Sequence, residues 1–320
     1  MKLRANDIEI EVEDTGPPAL VAGPDGVNAG AAERPAVLLI MGMGMQLVAW
    51  PPAFVDALQG AGYRVIRMDN RDSGLSQKFA HLGRPNVVWE SLKYKLGIGI
   101  KPPYRLHDMA ADALGVLDAL NVARAHVVGV SLGGMVAQRM ALAAPGRCAS
   151  MVSIMSSSSA RGLPQAEARV MRVLLKAPRK PDAQAVENHY VRLFKTIGSP
   201  GFPESEDELR VRIRLAAARN YCPDGSLRQA VAVAADGQRA FELPRLKPPT
   251  LVIHGKADPL IPVACGEDTA HRIPGARLLT IDGMGHDLPA GVVQRILPPL
   301  LQHFQAAESA AHAAAPAAVA

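Results

Sequence analysis

The 320-residue chain predicts an α/β fold: a mostly parallel sheet flanked by helices on both faces, with a helical cap inserted between two strands. Three observations predict it. Short apolar runs alternate with helical patterns in both halves of the chain, as in a parallel sheet covered by helices. The run AVLLI at 36–40 is continuously apolar, as a strand buried on both faces is. From about 158 to 244 the alternation stops, and only helical patterns remain, separated by PRKP, GSPGFPES and CPDG.

The elements follow in order. Ile8, Ile10 and Val12 alternate with acidic residues and suit a half-buried strand. Residues 16–35, rich in Gly, Pro and Ala, read as a long loop. After strand 36–40, WPPAFVDALQGAG (50–62) reads as a helix, with prolines in its first turn and glycine at its end. RVIRMDN (64–70) is the next strand, and 79–103 reads as irregular. HDMAADALGVLDALNV (107–122) is an amphipathic helix leading to strand AHVVGV (125–130). LGGMVAQRMALAA (132–144) is a helix ended by Pro145, and ASMVSIM (149–155) is a strand. After the helical block come strand TLVIHG (250–255), a helix near 264–273, strand ARLLTID (276–282) and a last helix near 290–306. The expected organisation is a core of 1–157 and 245–306 and a cap of 158–244. Residues 307–320, low in complexity, are expected to be a disordered tail.

Composition narrows the function classes. A chain 48% hydrophobic and 20% charged has ample core for one large domain. No apolar run approaches the roughly 20 residues that span a bilayer. The start, MKLRANDIEIEVED, lacks the apolar stretch of a signal peptide, so a cytoplasmic protein is expected. Cys148, Cys222 and Cys265 are odd in number and widely spaced, which speaks against a disulfide framework, and no CxxC suggests a metal. The net charge of +5 concentrates in 161–219, which holds 12 Lys/Arg against 7 Asp/Glu. Nucleic-acid binding is one reading of that segment. A solvated helical surface is the favoured one: acidic residues are mixed in, and Arg210, Arg212 and Arg214 would alternate between sides of a helix. Oligomeric state is not encoded in any pattern here.

In a sheet of this kind ligands bind beyond the carboxyl ends of the strands. Residues 129–134, GVSLGG, stand at such a place and match G-x-S-x-G, with a strand leading in and a helix leading out. Gly129 and Gly133 suit a sharp turn in which a Cβ would clash. Ser131 would be a nucleophile; a turn serine capping the helix gives the same local pattern. A serine hydroxyl needs a base, with an acid between them in chain order. His286, in DGMGHDLP after the last strand, is the candidate base. Asp258, in HGKADPLIP after the strand at 250–255, is the candidate acid; an Asx turn is the alternative for it. Asp287 adjoins His286 and is poorly placed to orient it, and Asp282 is a backup. His254 ends a strand close to Asp258 and reads as structural, as does His126. An oxyanion site needs two backbone N–H donors. Leu132 would supply one and Met43, in MGMGM, the other, with Gly42 the next choice. The methionines themselves are core filler or the lining of an apolar pocket.

These residues resemble the α/β-hydrolase superfamily over about 8–305. The elbow GVSLGG, the acid loop HGKADPLIP and the histidine loop GMGHDLP carry the resemblance jointly. The stretch from LLIMGMGMQ to RMDNRDSGLS looks like the branch that contains aclacinomycin methylesterase, which has Met-Gly where many relatives have His-Gly. The resemblance implies an α/β-hydrolase fold and a Ser–His–Asp hydrolase acting on a small-molecule ester without metal or cofactor. By motif it puts Ser131 as nucleophile, Asp258 as acid, His286 as base, and Met43 and Leu132 at the oxyanion positions. Asp69, Arg71, Asp72 and Ser76 match a run read as a structural turn. Alternatives on the same triad are a cofactor-free haloperoxidase or perhydrolase and a C–C bond hydrolase; from another class, a ligand receptor that keeps the fold. The few aromatics of the cap speak against an aromatic-stacking cage.

Overall fold

A hairpin opens the chain. β1 (Lys2–Ala5) and β2 (Ile8–Asp14) pair antiparallel across Asn6 and Asp7, both at positive φ (49° and 62°), the backbone of a tight two-residue turn. The computed structural model describes residues 1–16, 34–176 and 182–314. The expected loop at 16–35 thus lies almost wholly outside the described residues.

Six further strands follow: β3 (Ala36–Ile40), β4 (Arg64–Met68), β5 (Ala125–Val130), β6 (Cys148–Ile154), β7 (Thr250–Gly255) and β8 (Arg277–Ile281). They complete one eight-stranded sheet in the order β1-β2-β4-β3-β5-β6-β7-β8. β3 to β8 run parallel, and only the β1–β2 and β2–β4 pairs are antiparallel.

The pleat splits each central strand between two cores. Leu38 and Ile40 face α3 (Leu106–Ala119) and α4 (Leu132–Ala143), packing with Met109, Val116, Val136 and Met140. Val37 and Leu39 face α1 (Pro52–Gly60) and the last helix, packing with Phe54, Leu58, Ile296 and Phe304. Burial on both faces is why β3 reads as an unbroken apolar run.

Between β6 and β7 the chain inserts α5 (Ala168–Leu175), α6 (Ala183–Ile197), α7 (Glu206–Arg219), α8 (Pro223–Ala234) and α9 (Arg239–Glu242). These helices are bolted to the core by buried ion pairs. Arg228 on α8 grips both oxygens of Asp72 at 2.8 Å, and Arg219 reaches Asp69 at 2.5 Å. Arg71 in turn pairs with Asp112 on α3 at 2.6 Å. The D-x-R-D run after β4 is therefore where this helical block is tied to the sheet. Arg210 and Arg214 share Glu187 while Arg212 turns to Glu204, so the basic stretch is matched by acids of the same block.

Two readings need correction. α10 (Val263–Arg272) and then α11 (Ala290–Ala314) end the described chain. Residues 307–314, expected in the disordered tail of 307–320, are helical: Ala is the strongest helix former, and Glu308 reaches the buried His126 at 3.0 Å. Residues 315–320 lie outside the described residues. The stretch 79–103 is not wholly irregular, since α2 spans Val87–Lys95. β1 carries no pattern that announces it, being only four residues long and at the sheet edge. Among the described residues, no helix is long and apolar enough to cross a membrane.

Candidate active site

β5 ends at Val130 and α4 begins at Leu132, so Ser131 makes the whole turn between them. Its backbone is strained, at φ 54° and ψ −117°. The turn is held by its main chain: Ser131 N–H donates to Ile154 O at 2.9 Å, and Ser131 O accepts from Gly134 N and Ser156 Oγ. The side chain caps nothing in α4, which removes the helix-cap explanation of this serine. The flanking glycines are required by space. A Cβ on Gly129 would lie 2.1 Å from Gly133 O, and one on Gly133 would lie 2.0 Å from Ile40 O.

Two other loops at the same end of the sheet bring an acid and an imidazole together. Asp258, after β7, and His286, after β8, meet through Oδ2 and Nδ1 at 2.7 Å, both buried. Asp258 Oδ1 accepts the Leu260 and Ile261 N–H groups, each at 2.9 Å. Burial opposes ionisation of Asp258. The charge of His286 and the accepted hydrogen bonds outweigh it and hold the carboxyl well below the usual carboxylate range. Among the described residues, Ser131 Oγ makes no hydrogen bond to His286, so the structure joins acid to imidazole directly and leaves the serine adjacent to neither through a bond.

The rival assignments are placed elsewhere. Asp287 turns to Ser199 Oγ, and burial pushes its carboxyl up. Asp282 is exposed and pairs with Lys256. His254 Nε2 bonds Ile261 O at 2.8 Å and stands 3.6 Å from Asp258, a brace for the acid loop.

Opposite the elbow, Gly42 packs so closely on Ser131 that a Cβ there would lie 3.3 Å from Ser131 Cβ. Among the described residues, neither the Met43 nor the Leu132 N–H is spent on another hydrogen bond.

Sequence reasoning missed what the inserted helices contribute. The His286 N–H donates to Ile197 O at 2.7 Å and the Gly285 N–H to Ser199 Oγ at 2.8 Å, so the end of α6 supports the histidine loop. Gly285 is pressed against Gly198, with room for no Cβ. These are ordinary residues with no spacing signature. The aromatic expectation also needs correction. Tyr190 has its ring centroid 6.4 Å from those of both Phe194 and Tyr221, and the three line an open pocket with Gly44–Gln46 and Asp72–Gly74, whose lining includes neither Ser131 nor His286. Few aromatics suffice when three converge.

A family model described as the alpha/beta hydrolase fold matches residues 35–289. The chain belongs to the α/β-hydrolase fold family. Within this family it is 32% identical over 290 residues to a rhodomycin D methylesterase from Streptomyces peucetius, covering 85% of this chain and 91% of that protein. A poly(3-hydroxyalkanoate) depolymerase from Ectopseudomonas oleovorans is 29% identical over 207 residues, 63% of this chain and 69% of that one. Solved α/β-hydrolase structures share the fold at low identity. A meta-cleavage product hydrolase from Pseudomonas fluorescens has a TM-score of 0.69 at 19% identity, covering 96% of this chain and 98% of its own. An enol-lactonase from Burkholderia xenovorans has 0.66 at 21%, covering 95% and 100%.

Proposed function

We propose that the protein is a serine hydrolase of carboxylic esters, with Ser131 as nucleophile, His286 as general base and Asp258 as its orienting acid. The observation that carries this is Ser131: strained, at a strand-to-helix turn, with a hydroxyl that caps nothing. The Asp258–His286 pair on neighbouring loops supports it, as does similarity to a methylesterase over most of the chain.

His286 Nε2 takes the Ser131 proton while Oγ attacks the ester carbonyl carbon. Asp258 keeps Nδ1–H directed at itself and stabilises the imidazolium. The carbonyl oxygen, now negative, accepts from the Leu132 and Met43 N–H groups. The C–O bond to the alcohol breaks, and His286 returns the proton to the leaving oxygen. Water then repeats the sequence on the acyl-enzyme, releasing the acid and restoring Ser131. The insertion of 158–244 acts as a cap over the core of 1–157 and 245–306. Methyl esters of bulky acids are the first substrates to try.

Acid release from a methyl-ester series, followed by pH-stat, tests the reading. Turnover by the wild type that vanishes in a folded Ser131→Ala variant supports it. Undiminished turnover in that variant contradicts it.

A further inference from the structure

The loop carrying Met43 is shaped by the cap. Met45 N–H donates to Gly42 O at 3.1 Å, closing a tight turn with Met43 inside it and Gly44 at φ +66°. One end of the turn is fixed where Gly42 abuts Ser131. The other is fixed by α8. Gly44 N–H donates to Gln229 Oε1 at 2.8 Å, and a Cβ on Gly44 would lie 2.3 Å from Ser226 Oγ. Gln229 is fully buried, and its Nε2 donates to Arg71 O at 2.8 Å and Ser73 Oγ at 3.0 Å in the turn after β4. Its amide therefore has one orientation available. Beyond Gly44, the clamp continues: Gln46 Nε2 donates to Ala216 O and Asn220 O at the end of α7, each at 2.7 Å.

We propose that Gln229 is a positioning residue, which acts through Gly44 to aim the Met43 N–H at the developing oxyanion. The inference rests on the esterase reading above. The physical reason is that each peptide plane is rigid and the two that flank Met43 are both anchored: the plane carrying the Met43 N–H through Gly42 O, which accepts from Met45 N–H, and the next through the Gly44 N–H on Gln229, so the turn has little freedom to rotate the Met43 amide. Release Gly44, and the donor still exists but no longer points to one place, which an oxyanion site tolerates poorly. The cap then completes the catalytic geometry as well as covering it.

The test compares matched oxo- and thionoesters in Gln229→Leu. A thionoester develops its charge on sulfur, a weaker acceptor, so its hydrolysis depends less on the N–H donors. The expected result is a fall in oxoester kcat of about tenfold to a hundredfold, less than deletion of a donor. KM should stay near its wild-type value, and the oxo-to-thiono rate ratio should shrink. Gln229→Glu, which keeps an acceptor for Gly44, should restore part of that ratio. If Gln229→Leu does not fold, Gln229→Asn, whose shorter amide retracts from Gly44, is read the same way. A merely structural residue would lower both esters alike, and an unchanged ratio in the folded variant overturns the proposal. Wild-type protein that forms no fluorophosphonate adduct at Ser131 overturns the esterase reading itself, before Gln229 is judged.

Discussion

His286 Nδ1 lies 2.7 Å from Asp258 Oδ2, joining the loop after β8 to the loop after β7. Asp258 is also fixed by two backbone N–H groups, so it cannot turn to follow a displaced ring. Replacing it with Asn keeps the shape but presents an amide N–H where the imidazole needs an acceptor. Asp258→Asn should lower kcat on the order of 10⁴-fold while the fold persists. Steady-state kinetics beside circular dichroism checks this, and a near-normal rate would move the acid elsewhere.

Gly133 tests the elbow by space alone. Its Cβ would meet the main-chain Ile40 O at 2.0 Å, which has no flexible end to yield. Gly133→Ala should destabilise by at least about 2 kcal/mol, in the range of severe overpacking. Gly60, at the end of α1, has nothing within 4 Å of its added Cβ. Gly60→Ala should be neutral or stabilising by up to about 1 kcal/mol. Urea denaturation of the pair separates a steric requirement from a general intolerance of substitution at glycine.

The Arg228–Asp72 pair is buried on both sides, with side chains 2% and 0% exposed. Arg228→Met would strand the Asp72 carboxylate, which Tyr104 and the Phe79 N–H alone would then serve. The expected loss is about 3–5 kcal/mol, and removing both charges together should recover a large part of it. A double-mutant cycle by chemical denaturation measures the coupling. Additive losses would contradict the anchor.

Acid stability should carry a signature of α11. Burial, followed by the charges of His126 and Arg277, pulls the His303 imidazole down to about 4 from its ordinary 6.5. The unfolded chain therefore binds this proton first. Stability should fall as pH drops from about 6.5 to about 4 and level off for this group below that. His303→Leu should flatten the slope of Tm against pH in that window, with His126, also lowered by burial, supplying what remains. An unchanged slope would show that His303 is not the group responsible.

How much of this was legible depends on whether a residue's type or its distant partner decides its place. β3 and β5 are legible because burial on both faces forces apolar runs. β1 is not, being four residues at an edge, and the Ala-rich end of α11 reads equally as low complexity until Glu308 meets His126. Ser131, Asp258 and His286 stand out because the chemistry demands those types after strands in that order. Gln229, Ser199 and Ile197 do not: a glutamine, a serine and a carbonyl act through folds of the chain that no spacing announces. The aromatic wall was missed for the same reason, since Tyr221 joins Tyr190 and Phe194 only once α6 and α7 pack together.

The central claim is that Ser131 is the nucleophile, and intact-mass measurement after reaction with a fluorophosphonate tests it most directly. The account predicts a single covalent adduct on the wild type, absent from folded Ser131→Ala, with ester turnover lost in parallel. An adduct that persists in Ser131→Ala, or none on folded wild-type protein, would contradict it.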